Sequence, residues 1–320
     1  MANTQVDSNR WFTRLAFITA LLTLGLIVFG AVVRVTDSGL GCGNHWPLCN
    51  GTIFPPLDNL TAWIEWLHRL FALLIGLFGL ATLIVAVRAY RNRDKAVLGA
   101  TITAALLFVV QSVLGAIVVV LDLPPTMVTL HLGTAMLLFA ALLLAAVLSS
   151  YRALEHYKPD NVTTLGYVTA ALSLVIILTG ALVRGSGATL ACVDWPLCNG
   201  QVFPVNQGQL ALIHMIHRFA VLALGLSLLL LVWQVLQNRT DRRLRLVAGL
   251  ALGAFLLQAA IGAMFVLSGA AAFWGASHVG MAGATWGLLI VFCVIEWLNS
   301  HDSFGQVAEN SWKVQSGPTR

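Results

Sequence analysis

The sequence predicts an all-α membrane protein, with eight transmembrane helices arranged as two repeated four-helix bundles. A pseudo-twofold axis along the membrane normal is expected to relate the two bundles. Two observations support this fold class. The 320-residue chain is 58% hydrophobic and only 10% charged, with a mean hydropathy of +0.85, which is typical of polytopic membrane proteins and excludes a soluble domain. The other observation is an internal repeat.

The repeat consists of matched blocks separated by 147 to 150 residues. The blocks are GAVVR at 30–34 and GALVR at 180–184, WPLCNG at 46–51 and 195–200, HR at 68–69 and 217–218, QSVLGA at 111–116 and QAAIGA at 258–263, and single histidines at 131 and 278. An offset this constant indicates a duplicated domain. We therefore predict an N-terminal half at 1–150 and a C-terminal half at 151–320 that ends in a short cytoplasmic tail.

Eight apolar stretches are long enough for helices that cross a bilayer, which takes about 20 residues each. In chain order they are 15–33, 63–87, 96–121, 128–149, 164–183, 210–236, 246–268 and 276–297. The intervals between them are mostly short and leave no room for a soluble catalytic domain. The polar interval 151–163 is the expected linker between the halves.

The net charge of +5 follows from the topology and does not indicate nucleic-acid binding. Most basic residues fall on one side of the predicted membrane, which makes that side and both termini cytoplasmic and the cell membrane the expected location. The basic residues on that side are Arg10, Arg14, Arg88, Arg91, Arg93, Lys95, Arg152, Lys158, Arg239, Arg242, Arg243, Arg245, Lys313 and Arg320. The loops 34–62, 122–127, 184–209 and 269–275 then face outward.

Four histidines lie inside predicted helices, at matched positions and one depth near the outer side: His68, His131, His217 and His278. A single membrane histidine is often an interhelical hydrogen-bonding group. Four in repeat-related pairs favour two ligand sites instead. Zinc prefers four ligands, whereas two imidazoles in an apolar bundle suit haem iron. The absence of Cys-x-x-Cys-His excludes covalent haem attachment.

The halves differ three residues before the first histidine of each pair. Glu65 precedes His68, and His214 precedes His217. A carboxylate inside the membrane is costly and is a functional candidate by default, although an ion pair with Arg69 or Arg34 would also explain it. This difference suggests that one half does chemistry while the other holds a permanent cofactor. Glu296, at the cytoplasmic end of the last helix, is expected to be interfacial.

Arginines and cysteines lie near the outer ends of both halves. Arg34, Arg69, Arg184 and Arg218 can bind haem propionates through their guanidinium groups, or extend to the membrane surface. Two cysteine pairs share outward loops, where the environment is oxidising, so we expect the disulfides Cys42–Cys49 and Cys192–Cys198. Either pair can be a structural staple or a redox-active group; the spacing is not that of a thioredoxin-like motif.

These motifs together resemble the haem A synthase family, the bacterial relatives of the mitochondrial cytochrome oxidase assembly protein that makes haem A. The resemblance covers roughly 15–297. It rests on eight helices in two halves, Glu-x-x-His in the second helix, histidines in helices four, six and eight, and a cysteine pair in the first outward loop.

The resemblance implies oxidation of the C8 methyl group of haem O to a formyl group, giving haem A for terminal oxidases. It implies that His68 and His131 bind the haem O substrate, that His217 and His278 bind haem b, and that Glu65 is catalytic. The bilayer, a haem O synthase (the farnesyltransferase) and cytochrome oxidase assembly factors are the expected partners, and nucleic acid is not.

Two other functions stay open from the residues alone. The first is a dihaem b-type electron-transfer cytochrome without substrate chemistry, which would need haem b at both histidine pairs and would give Glu65 no role. The second is a membrane thiol oxidase that uses the loop cysteines. The cysteine spacing argues against that activity.

Overall fold

A computed structural model describes residues 2–153 and 155–301 of the chain. This part contains eight long α-helices and one short 3₁₀ turn at Ala188–Leu190, and no named β-strand. The helices are α1 (Ala2–Val35), α2 (Leu60–Tyr90), α3 (Lys95–Val120), α4 (Pro125–Ser150), α5 (Asn161–Gly185), α6 (Gln209–Asn238), α7 (Arg242–Leu267) and α8 (Ala272–His301). The expected cytoplasmic tail, with Lys313 and Arg320, lies outside the described residues.

All eight helices are long and apolar enough to cross a membrane, which confirms the predicted fold class of an all-α, multi-pass membrane protein. Their ends differ from the apolar stretches: α1 begins at Ala2 and not near residue 15, and α5 spans Asn161–Gly185 and not 164–183. The reason is that a hydrophobic stretch ends at its first polar residues, whereas a helix continues through them. The side chain of Asp160, inside the predicted linker, accepts hydrogen bonds from the first backbone N–H groups of α5 as its N-cap.

The centre of the molecule is formed by α4 and α8. In the most apolar 18-residue segment of each helix, 61% of α4 and 44% of α8 are buried inside the protein, against 11% of α3. Besides the contacts within α1–α4 and within α5–α8, α1 packs on α8, α4 on α5, and α4 on α8. If each helix is replaced by the helix at the matching position of the other half, the same set of contacts results: α1 with α8 becomes α5 with α4, and α4 with α8 is unchanged. The two-bundle arrangement about a pseudo-twofold axis remains a prediction.

A close approach of α8 to α4 forms the central seam. The indole N–H of Trp286 donates to the backbone carbonyl of Met136 over 3.0 Å, and both side chains are buried. A β-carbon at Gly287 would lie 2.7 Å from the ring of Phe139, so only glycine allows the helices this close. Met136, Phe139 and Trp286 of this seam belong to the largest cluster of buried apolar residues.

A buried ionic cluster ties the linker to α6 and α8 at the end of the molecule opposite the cysteine loops. The Arg239 guanidinium lies 2.5 Å from Glu296 Oε1 and 2.7 Å from Asp160 Oδ1. Thr163 and Tyr157 each donate a hydroxyl hydrogen bond of 2.8 Å to the Glu296 carboxylate. Hydrogen bonds from Arg239 lower the pKa of Asp160 to about 2. Glu296 is fully buried, and Arg239 compensates its charge. Its interfacial depth in the membrane stays a prediction.

Candidate functional site

The four candidate ligand histidines lie near the beginnings of the even-numbered helices. His68 is on α2, His131 on α4, His217 on α6 and His278 on α8. Each stands about 9–12 Å along its helix from the first residue, at 1.5 Å per residue. All four side chains are half-buried. Within each half the two histidines are near enough to interact electrostatically, so the structure brings His68 together with His131, and His217 with His278.

Each histidine ring lies against a glycine of the preceding helix. A β-carbon on that glycine would come within 2.7–3.2 Å of the imidazole Cε1 atom. The four pairs are Gly30 with His68, Gly115 with His131, Gly180 with His217, and Gly262 with His278. The 2.7 Å contact at Gly262 is shorter than real β-carbons show, and the other three, at 3.1–3.2 Å, are tighter than most real β-carbon contacts. Each glycine therefore provides room that its imidazole occupies. We call these four contacts the glycine seats.

A glutamine also contacts the second histidine of each half. The Gln111 and His131 Nε2 atoms are 3.1 Å apart, and so are those of Gln258 and His278. Each glutamine lies four residues before the glycine seat on the same helix, and therefore on the same helix face. His131 and His278 thus have the same two neighbours, a glutamine and a glycine of the preceding helix.

Glu65 is buried between the first cysteine loop and His68, with 3% of its surface exposed. Its Oε2 atom accepts a 2.8 Å hydrogen bond from the backbone N–H of Cys42, and its Oε1 atom forms an ion pair with Arg69. The ion pair weighed as an alternative from the sequence therefore exists. Each carboxylate oxygen retains lone-pair capacity beyond this one partner, so the ion pair does not prevent Glu65 from acting on a bound molecule.

The second half keeps this arrangement without the carboxylate. His214 takes the place of Glu65, is 5% exposed, and lies 3.3 Å from the Arg218 guanidinium. An anionic hydrogen-bond acceptor beside the first histidine pair is thus replaced by an imidazole beside the second. This is the largest chemical difference between the two matched sites.

The cysteines form the two expected disulfides, Cys42–Cys49 and Cys192–Cys198, and all four are fully buried. An arginine from the next helix holds each loop. Arg69 donates to three backbone carbonyls, those of His45, Pro47 and Leu48, at 3.1–3.2 Å. Arg218 donates to the carbonyls of Cys192, Pro196 and Leu197. These guanidinium groups therefore bind protein groups, which leaves them less free for haem propionates than the sequence suggested.

The other two arginines lie together at the ends of α1 and α5. Arg184 donates to the backbone carbonyl of Arg34 at 3.4 Å and pairs with the exposed Asp37 at 3.3 Å. The Nε atoms of both Arg34 and Arg184 are buried without a hydrogen-bond partner. Because buried donors are normally satisfied, these two groups are suited to an anionic ligand.

The histidine pairs offer the chemistry that haem iron requires. Each half presents two half-buried imidazoles packed against glycines. No group of three or more His, Cys, Asp or Glu residues gathers as a metal site in residues 2–153 and 155–301. A four-ligand zinc site therefore finds no donor set there, and bis-imidazole ligation fits the residues present.

Sequence reasoning missed the roles of the glycine seats and of Gln111 and Gln258. Both belong to repeated blocks, where their recurrence was read only as evidence of duplication. The signal was the spacing: glutamine and glycine four residues apart in both halves, on the helix preceding the second histidine.

Comparison with known proteins gives one consistent result. Residues 13–290 match the family model COX15-CtaA, described as cytochrome oxidase assembly protein. A haem A synthase of Symbiobacterium thermophilum is 33% identical over 87% of this chain and 92% of its own length. A haem A synthase of Shouchella clausii is 36% identical over 81% and 88%. Another from Exiguobacterium sibiricum is 31% identical over 86% and 91%.

Proposed function

Because the chain belongs to the family of cytochrome oxidase assembly proteins, we propose that it is a haem A synthase, a membrane oxidoreductase that converts haem O to haem A for terminal oxidases. The reaction oxidises the C8 methyl group of haem O to a formyl group. The eight apolar spans suit this substrate, since haem O carries a farnesyl chain and partitions into the bilayer. The relatives named above are haem A synthases, which favours this reaction over an electron-transfer cytochrome without substrate chemistry.

The two halves divide the work. His68 and His131 bind the haem O substrate, and His217 and His278 hold haem b. The observation that carries this assignment is the buried carboxylate of Glu65, one turn from His68, where the matched site has His214. Two sites that are alike in histidines, glycine seats and glutamines, but of which only one has a buried carboxylate, are suited to one reactive substrate and one resident cofactor.

Glu65 is the residue that acts on the substrate. The Cys42 N–H and the Arg69 guanidinium fix its carboxylate, while lone pairs on both oxygens remain for another partner. Held beside the substrate ring, the carboxylate would accept a proton released as the methyl group gives up electrons to an external acceptor, or stabilise positive charge that develops on its carbon. Haem b supplies one-electron redox chemistry when bound; the surrounding residues bind, orient and exclude water.

The ends of α1 and α5 contribute two arginines that bind the propionate groups of the haems. Arg34 and Arg184 bind haem propionates through the guanidinium donors that have no protein partner. Following the distribution of basic residues, both termini are cytoplasmic, the protein lies in the cell membrane, and the haem sites lie near its outer face. A haem O synthase is the expected source of the substrate.

Matched histidine variants test the division of work. His217→Ala or His278→Ala should remove haem b from purified, membrane-inserted protein, because one axial ligand is lost. His68→Ala or His131→Ala should abolish haem A formation yet leave most haem b bound, because each half has its own ligands. The measurements are haem b per protein by pyridine-haem spectra and haem A yield. Equal loss of haem b from both sets would contradict the assignment and favour a dihaem cytochrome.

A further inference from the structure

His217 has a hydrogen bond that its repeat mate His68 lacks. The Nδ1 atom of His217 lies 3.1 Å from the hydroxyl oxygen of Thr179, one residue before the glycine seat on α5. The position that matches Thr179 on α1 is Phe29, whose ring centre lies 5.9 Å from that of His68. The Nδ1 atom of His68 is buried and has no hydrogen-bond partner. The imidazole of His217 therefore has a hydrogen-bond partner at Nδ1, and the imidazole of His68 has none.

The Thr179 hydroxyl has two hydrogen-bonding partners, the Nδ1 atom of His217 and the backbone carbonyl of Ile176. A hydroxyl has a single hydrogen, and Thr179 donates it to the backbone carbonyl of Ile176 over 2.9 Å. With its hydrogen on the Ile176 carbonyl, the Thr179 oxygen accepts a hydrogen bond from the Nδ1–H tautomer of His217. The proton on Nδ1 leaves the lone pair of the neutral ring on Nε2, the nitrogen then available to a metal.

The second histidine of each half shows no such difference. His131 and His278 each have a glutamine Nε2 atom at 3.1 Å and a glycine seat. The Thr179–Phe29 difference thus concerns one ligand of each pair only. His217, which has the hydrogen bond, lies in the half that the proposed function assigns to the resident haem b. His68, which lacks it, lies in the half assigned to the haem O substrate, which leaves as haem A.

We propose that Thr179 is a positioning residue that makes His217 a pre-oriented, more basic axial ligand, and that Phe29 leaves His68 without this support. Hydrogen bonding of the remote nitrogen fixes ring orientation and raises ligand basicity, and its loss typically lowers metal affinity 10–100-fold. The resident haem b is retained through this bond, and its absence at His68 favours exchange of haem O and haem A. This inference rests on the proposed assignment of haem b to His217 and His278.

The test compares Thr179→Val, which replaces the hydroxyl with a methyl group of similar size, with Thr179→Ser, which keeps the hydroxyl. Haem b loss is followed by transfer to excess apomyoglobin, and the reduction potential of haem b by spectroelectrochemistry. We expect Thr179→Val to release haem b about 10-fold faster and to shift its potential upward, because a less basic imidazole stabilises ferric iron less. Thr179→Ser should restore both values towards wild type.

Unchanged release and potential in Thr179→Val would overturn the inference. A change that Thr179→Ser does not reverse would also overturn it, since packing and not the hydroxyl would then be responsible. If Thr179→Val does not accumulate in membranes, Phe29→Thr tests the same contact in the other half: slower release of pre-loaded haem O supports the inference, and unchanged or faster release refutes it. Retention of haem b in both His217→Ala and His278→Ala would instead refute the haem b assignment itself.

Discussion

At the scale of single residues, Glu65 and the histidines were predictable because a polar group inside a membrane is costly and must have a reason. The repeat added a second criterion, since chance does not place four histidines at matched positions. Gly262 and Gln258 also recur in the repeat, but recurrence alone did not assign them a role, because glycine and glutamine occur in membrane helices for many reasons. Their roles depend on which ring lies opposite, and only the packed structure determines that.

A first prediction concerns Glu65→Gln. The amide oxygen can still accept the hydrogen bond from the Cys42 N–H, but the charge that pairs with Arg69 is lost. Substrate should still bind, while haem A formation falls about 100-fold or more, the typical effect of losing one preorganised electrostatic group. Haem extracted from cells and separated by chromatography should show accumulated haem O.

The matched control for this variant is His214→Gln in the second half. It changes the corresponding buried position without touching the substrate site, so haem A yield should stay close to wild type. Near-normal haem A output from Glu65→Gln would mean that the carboxylate serves only its ion pair with Arg69.

At the scale of helices, each ligand site depends on the approach of an even-numbered helix to the helix before it. The number of spans was predictable from hydropathy, but their ends were not, because polar caps such as Asn59, Asp94 and Asp160 extend the helices beyond the apolar stretches. The close approach of α8 to α7 was also beyond prediction. Hydropathy depends on the number of apolar residues in a segment, and it does not indicate how closely two helices approach each other.

The glycine seats lead to a second prediction, for Gly262→Ala. The added β-carbon would lie 2.7 Å from Cε1 of His278, so the ring must shift away from its present position. Haem b per protein should fall about 10-fold, the lower end of what losing a group that supports a ligand costs in metal affinity. Gly253→Ala on the same helix is the control, because its β-carbon would meet nothing within 4 Å. A normal haem b content in Gly262→Ala would show that the seat is not required.

At the scale of the whole molecule, the duplication predicted which helices are equivalent but not how the halves are fastened together. Tyr151, at the end of α4, donates a 2.6 Å hydrogen bond to Asp241, in the turn between α6 and α7. The cluster of Arg239, Glu296 and Asp160 lies beside it. Arg239 and Glu296 are 57 residues apart. The position 147 residues before Glu296 is Ser149, which carries no charge, so neither local pattern nor repeat indicated that the two residues meet.

The cluster leads to a last prediction, for the stability of the whole protein. Arg239→Leu leaves the fully buried Glu296 carboxylate without its cation, which should cost about 3–5 kcal/mol of unfolding free energy. The double variant Arg239→Leu/Glu296→Leu removes both charges and should recover most of that loss, because an apolar pair needs no compensation. Denaturant unfolding in detergent micelles, followed by circular dichroism, measures both values. A single variant costing less than about 1 kcal/mol, or a double variant no more stable than the single, would show that the pairing of these two charges does not hold this end together.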